Sequence, residues 1–286
     1  MNPVVTAFFH KPTYTVSYVV SDPQSRKAVV IDSVLDFDYS AGRTGTMAAD
    51  DIVDFIVAEK LEVDWILETH VHADHLTAAP YLQKKLGGLL AIGSGVTAVQ
   101  SRFGEIYNFG DEMPKDGSQF QHLFADNEKI DVGGMTINVI FVPGHTPGCV
   151  AYKIGNAVFV GDTLFMPDYG TARCDFPGGD ARELYRSIHK ILSLPDETRL
   201  FMCHDYGPNG RPFAWETTVA RQKSGNIHIR DGVSEDEFVK MRRARDATLS
   251  MPGLIIPSIQ VNMQAGKFPK AEDNDVSYLK VPLDLI

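Results

Sequence analysis

The chain is poor in features that mark several large protein classes. Only three of its 286 residues are cysteine: Cys149, Cys174 and Cys203. An odd, low count builds no disulfide framework and fits a reducing compartment. All three are expected as buried structural thiols. No apolar run approaches the ~18 residues of a membrane span, so no transmembrane helix is expected. The start, MNPVVTAFFHKPTYT, has neither a basic leader nor a long apolar stretch, so no secretory signal is expected. Positive charge is scarce too: 27 Lys and Arg against 37 Asp and Glu leave a formal net charge of −10. That balance repels a polyanion such as DNA. The one dense basic run, Lys240 to Arg245 (KMRRAR), follows Glu235 and Glu237 in a helical pattern. It is expected as a solvated helix face, so neither nucleic acid nor membrane is an expected partner.

What is present is an ordinary globular composition, 44% hydrophobic and 22% charged. Short β-branched runs bounded by Gly, Pro, Asp or Asn predict strands at Thr15–Val20, Lys27–Asp32, Asp64–Thr69 and Thr136–Val142. Val150–Ile154, Ala157–Val160 and Arg199–Cys203 read the same way. Helical spacing predicts helices at Ala48–Leu61, His75–Leu86 and Ala181–Leu194. Gly87-Gly88 would stop the second. Asp180 would cap the third, with Glu183 as reciprocal partner. Ser234 and Glu237 form a further capping-box pattern. Alternation of strands and helices implies an α/β fold of layered elements. No linker divides the chain, so residues 1–286 are expected as a single domain with its core at about 10–210. Residues 211–286 would be a C-terminal extension packed on the same domain.

The chemistry concentrates in Thr69 to His75 (THVHADH), directly after a predicted strand and ahead of a predicted helix. His70, His72, Asp74 and His75 place three imidazoles and a carboxylate within six positions. Imidazole suits zinc, iron, copper or nickel; carboxylate suits harder ions. Extended backbone would let His70 and His72 point the same way. His145 in VPGHTPG, Asp162 in GDTLF and His204 in CHDY each follow a further strand pattern. The glycines beside His145 and Asp162 would allow sharp backbone turns. His10, His122, His189 and His228 lack such context and are expected to be structural or surface residues.

HxHxDH followed by PGHTPG, GDTLF and a strand-end histidine resembles the metallo-β-lactamase superfamily over about residues 10–210. The resemblance implies an αββα four-layer sandwich with a metal site at one edge. Fold does not fix reaction. Within the family the chain looks most like the persulfide dioxygenases. His204-Asp205-Tyr206 replaces the His-Glu-Tyr typical of glyoxalase II, Arg173 to Phe176 (RCDF) is similar to the dioxygenase Arg-x-Asp-Phe element, and Pro257–Gly266 (PSIQVNMQAG) resembles that group's Asn-Met tail. Met166–Gly179 looks most like bacterial β-lactamase-like hydrolase members of the group, some of which carry an added domain for which this chain has no room. A cytoplasmic, bacterial location is therefore expected. An exported β-lactamase is not expected.

The resemblance implies one Fe(II) per chain held by His70, His145 and Asp162, with glutathione persulfide and O2 as substrates and sulfite and glutathione as products. His72, Asp74, His75 and His204 would line the site, or hold a second metal. Zn(II) is the alternative or substituted ion. The competing reading is a dinuclear zinc hydrolase of the glyoxalase II type, in which His72 would join the first metal and Asp74, His75 and His204 would bind the second. Arg173 would grip a glutathione carboxylate and Tyr206 would contact the tripeptide. Phe165 and Phe176 would wall the sulfur end. Asp205 would partner the site or cap a helix. Family members are often homodimers, and a homodimer is a possible state here.

Overall fold

A computed structural model describes residues 2–285. The N-terminal half runs β1 (Val4–His10), β2 (Thr15–Ser21), β3 (Lys27–Ile31), β4 (Val34–Asp38), β5 (Arg43–Gly45), α1 (Met47–Ala58) and β6 (Glu62–Leu67). It continues through β7 (Leu76–Thr77), α2 (Ala79–Leu86), β8 (Leu89–Gly93), α3 (Val96–Ile106) and β9 (His122–Phe124). The next stretch holds β10 (Lys129–Val132), β11 (Met135–Phe141), β12 (Val150–Ile154), β13 (Ala157–Phe159), α4 (Ala181–Leu192), β14 (Arg199–Phe201) and β15 (Glu216–Thr218). The tail carries α5 (Val219–Gly225), α6 (Glu235–Asp246) and α7 (Ile255–Asn262).

Two six-stranded sheets result, ordered β1-β2-β3-β6-β8-β9 and β10-β11-β12-β13-β14-β15. Successive residues of a strand face opposite ways, and here both faces are apolar. Val20, Val29 and Ile31 of the first sheet meet Ile137, Val139, Tyr152 and Phe159 of the second in one buried cluster. Their neighbours Val19, Val30 and Ile66 point outward to α1, α2, α3 and α7. On the far side Ile140, Ala151, Val158 and Leu200 pack under α4, α5 and α6. The layers are therefore helix, sheet, sheet, helix, as the resemblance implied. No described helix is long and apolar enough to cross a membrane.

Each strand expected from sequence forms, within a residue or two at its ends. β1, β4, β5, β7, β8, β9, β10 and β15 and helices α3, α5 and α7 were not expected. One helix start is corrected. The helix expected from His75 begins at Ala79, and Leu76–Thr77 instead pairs with β4. Pro80 explains this: it has no N–H, and inside a longer helix its ring would clash with the carbonyl of Leu76. Asp180 caps α4 by accepting from Arg182 N and Glu183 N. The reciprocal contact is absent because Asp180 N–H donates to Gly144 O. The capping box of Ser234 and Glu237 forms. The basic run is not a uniformly solvated face: Arg242 is 1% exposed. All three cysteines are buried and free.

Candidate metal centre

Five strand ends meet at one edge of the double sheet. Asp32 follows β3, Glu68–His75 follows β6, His145 follows β11, Asp162 follows β13 and His204 follows β14. Carboxyl ends of strands are where layered α/β folds collect ligands, because the loops there are free to vary. Two glycines let the chain close up. Gly161 has φ +51°, and a Cβ there would lie 2.6 Å from Thr69 Oγ1. Gly144 has φ +141°, and a Cβ there would lie 2.3 Å from Leu184 Cα.

Among the described residues, the side chains form four overlapping clusters, two of which, Asp162 with Cys203 and His204 and Asp32 with Glu68 and His72, share members with the two that hold the candidate ligands. One ligand atom each of His70, His145 and Asp162 lies within 4.8 Å of the others; the same holds for His72, Asp74, His75 and His204. His70 and His72 therefore do not point to a common centre as their spacing suggested. The segment between them is irregular loop rather than strand, so period-two alternation does not apply.

In the first group, hydrogen bonding fixes the tautomers. Thr69 Oγ1 donates to Asp32 Oδ2 at 2.8 Å, so it accepts from His70 Nδ1 at 3.0 Å. His145 Nδ1 lies 2.8 Å from the carbonyl oxygen of Arg173, which can only accept. Both rings thus carry their hydrogen on Nδ1 and turn an Nε2 lone pair inward, the form a metal takes. Burial, then the neighbouring imidazoles, holds the His70 pKa well below the usual histidine value.

His72 differs. Its Nε2 lies 3.0 Å from Asp32 Oδ1 and 3.1 Å from Glu68 Oε2. Burial alone would depress its pKa, but these carboxylates outweigh that and raise it well above the usual value. Burial pushes Asp32 up, yet the His72 charge and hydrogen bonds from His72 and Thr69 bring it down. Asp74 bridges its own group, 3.5 Å from His75 Nδ1 and 3.4 Å from His204 Nε2. Burial would raise its carboxyl; the His204 and His75 imidazoles hold it far below the carboxylate range. Burial takes His75 down to about 4. His204 Nε2 also lies 3.3 Å from Asp162 Oδ1, joining the groups.

Buried polar atoms are normally paired. Here His70 Nε2, His72 Nδ1, Asp74 Oδ2, His75 Nε2, Asp162 Oδ1 and both ring nitrogens of His204 are buried without a hydrogen-bond partner. Imidazole and carboxylate donors left bare along one buried edge fit divalent transition-metal binding.

A cavity of about 410 Å³ opens above the first group, within the usual range for small-molecule sites. Asp74, His145 and Asp162 reach its floor, and Tyr14, Phe165, Tyr169, Phe176 and Tyr206 form much of its wall. Tyr206 packs against Tyr169 with ring centres 4.6 Å apart and planes tilted by 31°. Burial, then Asp74 and Asp162, raises its phenol pKa well above the ordinary value, so it can donate a hydrogen bond. Arg173 lines the cavity, but the expected grip on a substrate carboxylate needs correction. Its Nε and Nη2 bind Asp175 at 2.6 and 2.7 Å, and its Nη1 donates to Ser250 O at 2.7 Å. Its forked edge is occupied and its charge is met. Asp205 neither joins the centre nor caps a helix; it holds Arg211 through both carboxylate oxygens, each at 2.7 Å.

A model of the metallo-β-lactamase superfamily matches residues 10–204. The chain belongs to that superfamily. It is 55% identical to a probable metallo-hydrolase of Burkholderia pseudomallei, over 99% of each chain. It is 51% identical to a β-lactamase hydrolase-like protein of Agrobacterium fabrum, covering 99% of this chain but only 65% of that one. It is 29% identical to the human mitochondrial persulfide dioxygenase, over 90% of this chain and 87% of the relative. Among solved structures, ETHE1 from Myxococcus xanthus superposes with TM-score 0.74 at 26% identity, covering 92% of this chain and 100% of that one.

Three supports of this superfamily site escaped the sequence reading. Asp32 closes the predicted strand KAVVID, and its strand-end position was the available signal. Asn262 lies about 190 residues from the metal loop yet bolts it down: Nδ2 donates to His72 O at 2.8 Å and His75 O at 2.7 Å, and Oδ1 accepts from Thr77 N at 2.9 Å. His10, expected as structural or surface, starts a chain through Thr13 Oγ1 (2.8 Å) and Thr15 Oγ1 (2.8 Å) to His75 Nδ1 (3.4 Å). His228 accepts from Thr171 N at 3.0 Å, and His122 and His189 lie outside the centre.

Proposed function

We propose that this protein is an iron-dependent persulfide dioxygenase that converts glutathione persulfide, O2 and water to glutathione and sulfite. The observation that carries this reading is the partition of the ligands. His70, His145 and Asp162 group without His72, whose Nε2 sits between two carboxylates. Two imidazoles and one carboxylate are the donor set of mononuclear ferrous oxygenases. Likeness to the human and Myxococcus proteins supports the same reading.

Held by His70, His145 and Asp162, Fe(II) would supply the Lewis-acid and redox chemistry that the persulfide sulfur and O2 need. The chain's residues do the rest. Thr69 and the Arg173 carbonyl hold the two rings in register. Phe165, Phe176 and Tyr169 exclude water from the sulfur end, and Tyr206 donates to the tripeptide. Asp74, His75 and His204 would orient water beside the ion. Residues 1–286 would act as one domain in the cytoplasm, without nucleic acid or membrane.

The second reading is a dinuclear zinc hydrolase. Two observations favour it: the second group is also buried and bare, and two close relatives bear hydrolase names. Metal analysis of anaerobically purified protein, paired with O2 uptake on glutathione persulfide, tests the two together. One iron per chain with sulfite release is expected. Two zinc ions per chain with glutathione-thioester hydrolysis and no O2 uptake would reverse the order.

A further inference from the structure

The cavity over the metal centre is lined by three arginines, and only one has its charge free. Arg173 is tied to Asp175 and Ser250 O, as above. Arg242 is tied to Asp246 by Nε at 2.9 Å and Nη2 at 2.6 Å, and its Nη1 donates to Thr171 O at 3.0 Å. Arg245, the third, also lines the cavity, is exposed, and has no side-chain hydrogen bond or ion pair with any described residue. Arg242 and Arg245 are three apart on α6, so they share a helix face. That face descends from the cavity mouth at Arg245 to the buried Arg242. The helix itself is held firmly. Asp246 Oδ2 accepts from Cys174 N at 3.0 Å, in the loop whose Arg173 carbonyl fixes His145. Arg245 is thus mounted on the same scaffold as the metal ligands.

We propose that Arg245 is the anchor for the glycyl carboxylate of the glutathione moiety, a specificity-determining contact that rests on the glutathione-based reading above. The charge pattern selects this end of the tripeptide. Two carboxylates, Asp74 and Asp162, lie at the floor, where the metal and the sulfur belong. At the mouth no unpaired acid accompanies Arg245. The glutamyl end of glutathione carries an ammonium beside its carboxylate, and an uncompensated guanidinium repels that ammonium. The glycyl end presents a carboxylate alone, which a guanidinium fork matches in shape and charge. The tripeptide then spans the cavity from Arg245 to the ion, with its backbone along the aromatic wall.

The test is calorimetric binding of glutathione, and of its glycyl monoethyl ester, to the iron-loaded wild type and to Arg245→Gln and Arg245→Lys. Glutathione affinity should fall about ten-fold in Arg245→Gln, the scale of one charge-assisted hydrogen bond. Arg245→Lys should recover part of it. The ester should bind all three proteins alike, and the melting temperature should barely move, since the Arg245 side chain bonds no described residue and its backbone carbonyl is kept in every variant. Equal glutathione affinity in wild type and Arg245→Gln overturns the anchor, and so does an ester that still distinguishes them. O2 uptake on glutathione persulfide is read separately on the wild type. If uptake is absent while glutathione binding still depends on Arg245, the oxygenase reading falls and the anchor stands.

Discussion

The two ligand groups use the same residue types and share a buried edge, yet their surroundings prepare them differently. In the first, each imidazole donates its Nδ1 hydrogen to an oxygen and keeps Nε2 bare. In the second, His72 carries carboxylates on its outer nitrogen and is held toward the charged form. The oxygen behind each ring fixes which nitrogen is turned inward, Nε2 in the first group and Nδ1 of His72 in the second. The acceptor behind a histidine sets its tautomer, its orientation and its basicity as a ligand.

Breaking the comparison starts with the ligands. His145→Ala or Asp162→Ala should remove nearly all bound iron and O2 uptake, whereas His72→Ala should keep close to one iron per chain; elemental analysis reads both. Equal iron loss from all three would erase the distinction. Next comes the residue that serves both groups. Asp32→Ala removes the acceptor for Thr69 N, Thr69 Oγ1 and His72 Nε2. Loss of one partner of a buried charge pair costs about 3–5 kcal/mol, so the melting temperature should drop sharply and iron should be lost with it.

Asn262→Ala strips three hydrogen bonds from the second group's loop. Iron affinity should fall about 10–100-fold, the range for residues that orient ligands. An unchanged affinity would mean that the loop from Glu68 to His75 holds itself. A neutral-held imidazole away from the centre sharpens the contrast. Burial, with Arg242 and Arg245 nearby, takes His228 down to about 4. Its folded value lies below its unfolded one, so the unfolded chain takes up the proton first. The stability it contributes is complete above the ordinary histidine pKa and declines as pH falls from there towards 4. Melting curves across that window should show a shallower acid loss in His228→Gln than in wild type. The smallest effect is expected from Tyr206→Phe, a rise of about two- to ten-fold in KM for glutathione persulfide with kcat little changed, as for one neutral hydrogen bond.

Much of this was legible beforehand. Hydrophobic period and turn residues located the strands that carry every candidate ligand, because those strands are rich in buried apolar residues and bounded by turns. The start of α2 was misread although Pro80 was in plain view, since the apolar spacing continued across it. The run Lys240 to Arg245 was misread for a different reason. Charge density on a helix says nothing of what packs on it, and Arg242 is buried because Asp246 and Thr171 meet it there.

The linear chain was enough to read the layered fold, the superfamily and a set of candidate ligands, though not Asp32, Glu68 or Cys203, which lie among them. Those depend on local periodicity and on residue chemistry, both of which are written along the backbone. Only the tertiary structure decided which imidazoles belong together, which of the three cavity arginines has an unpaired side chain, and that Asn262 clamps a loop some 190 residues away. Pairing in space depends on backbone closure and on which acceptor lies behind each ring. Neither has any counterpart in sequence distance.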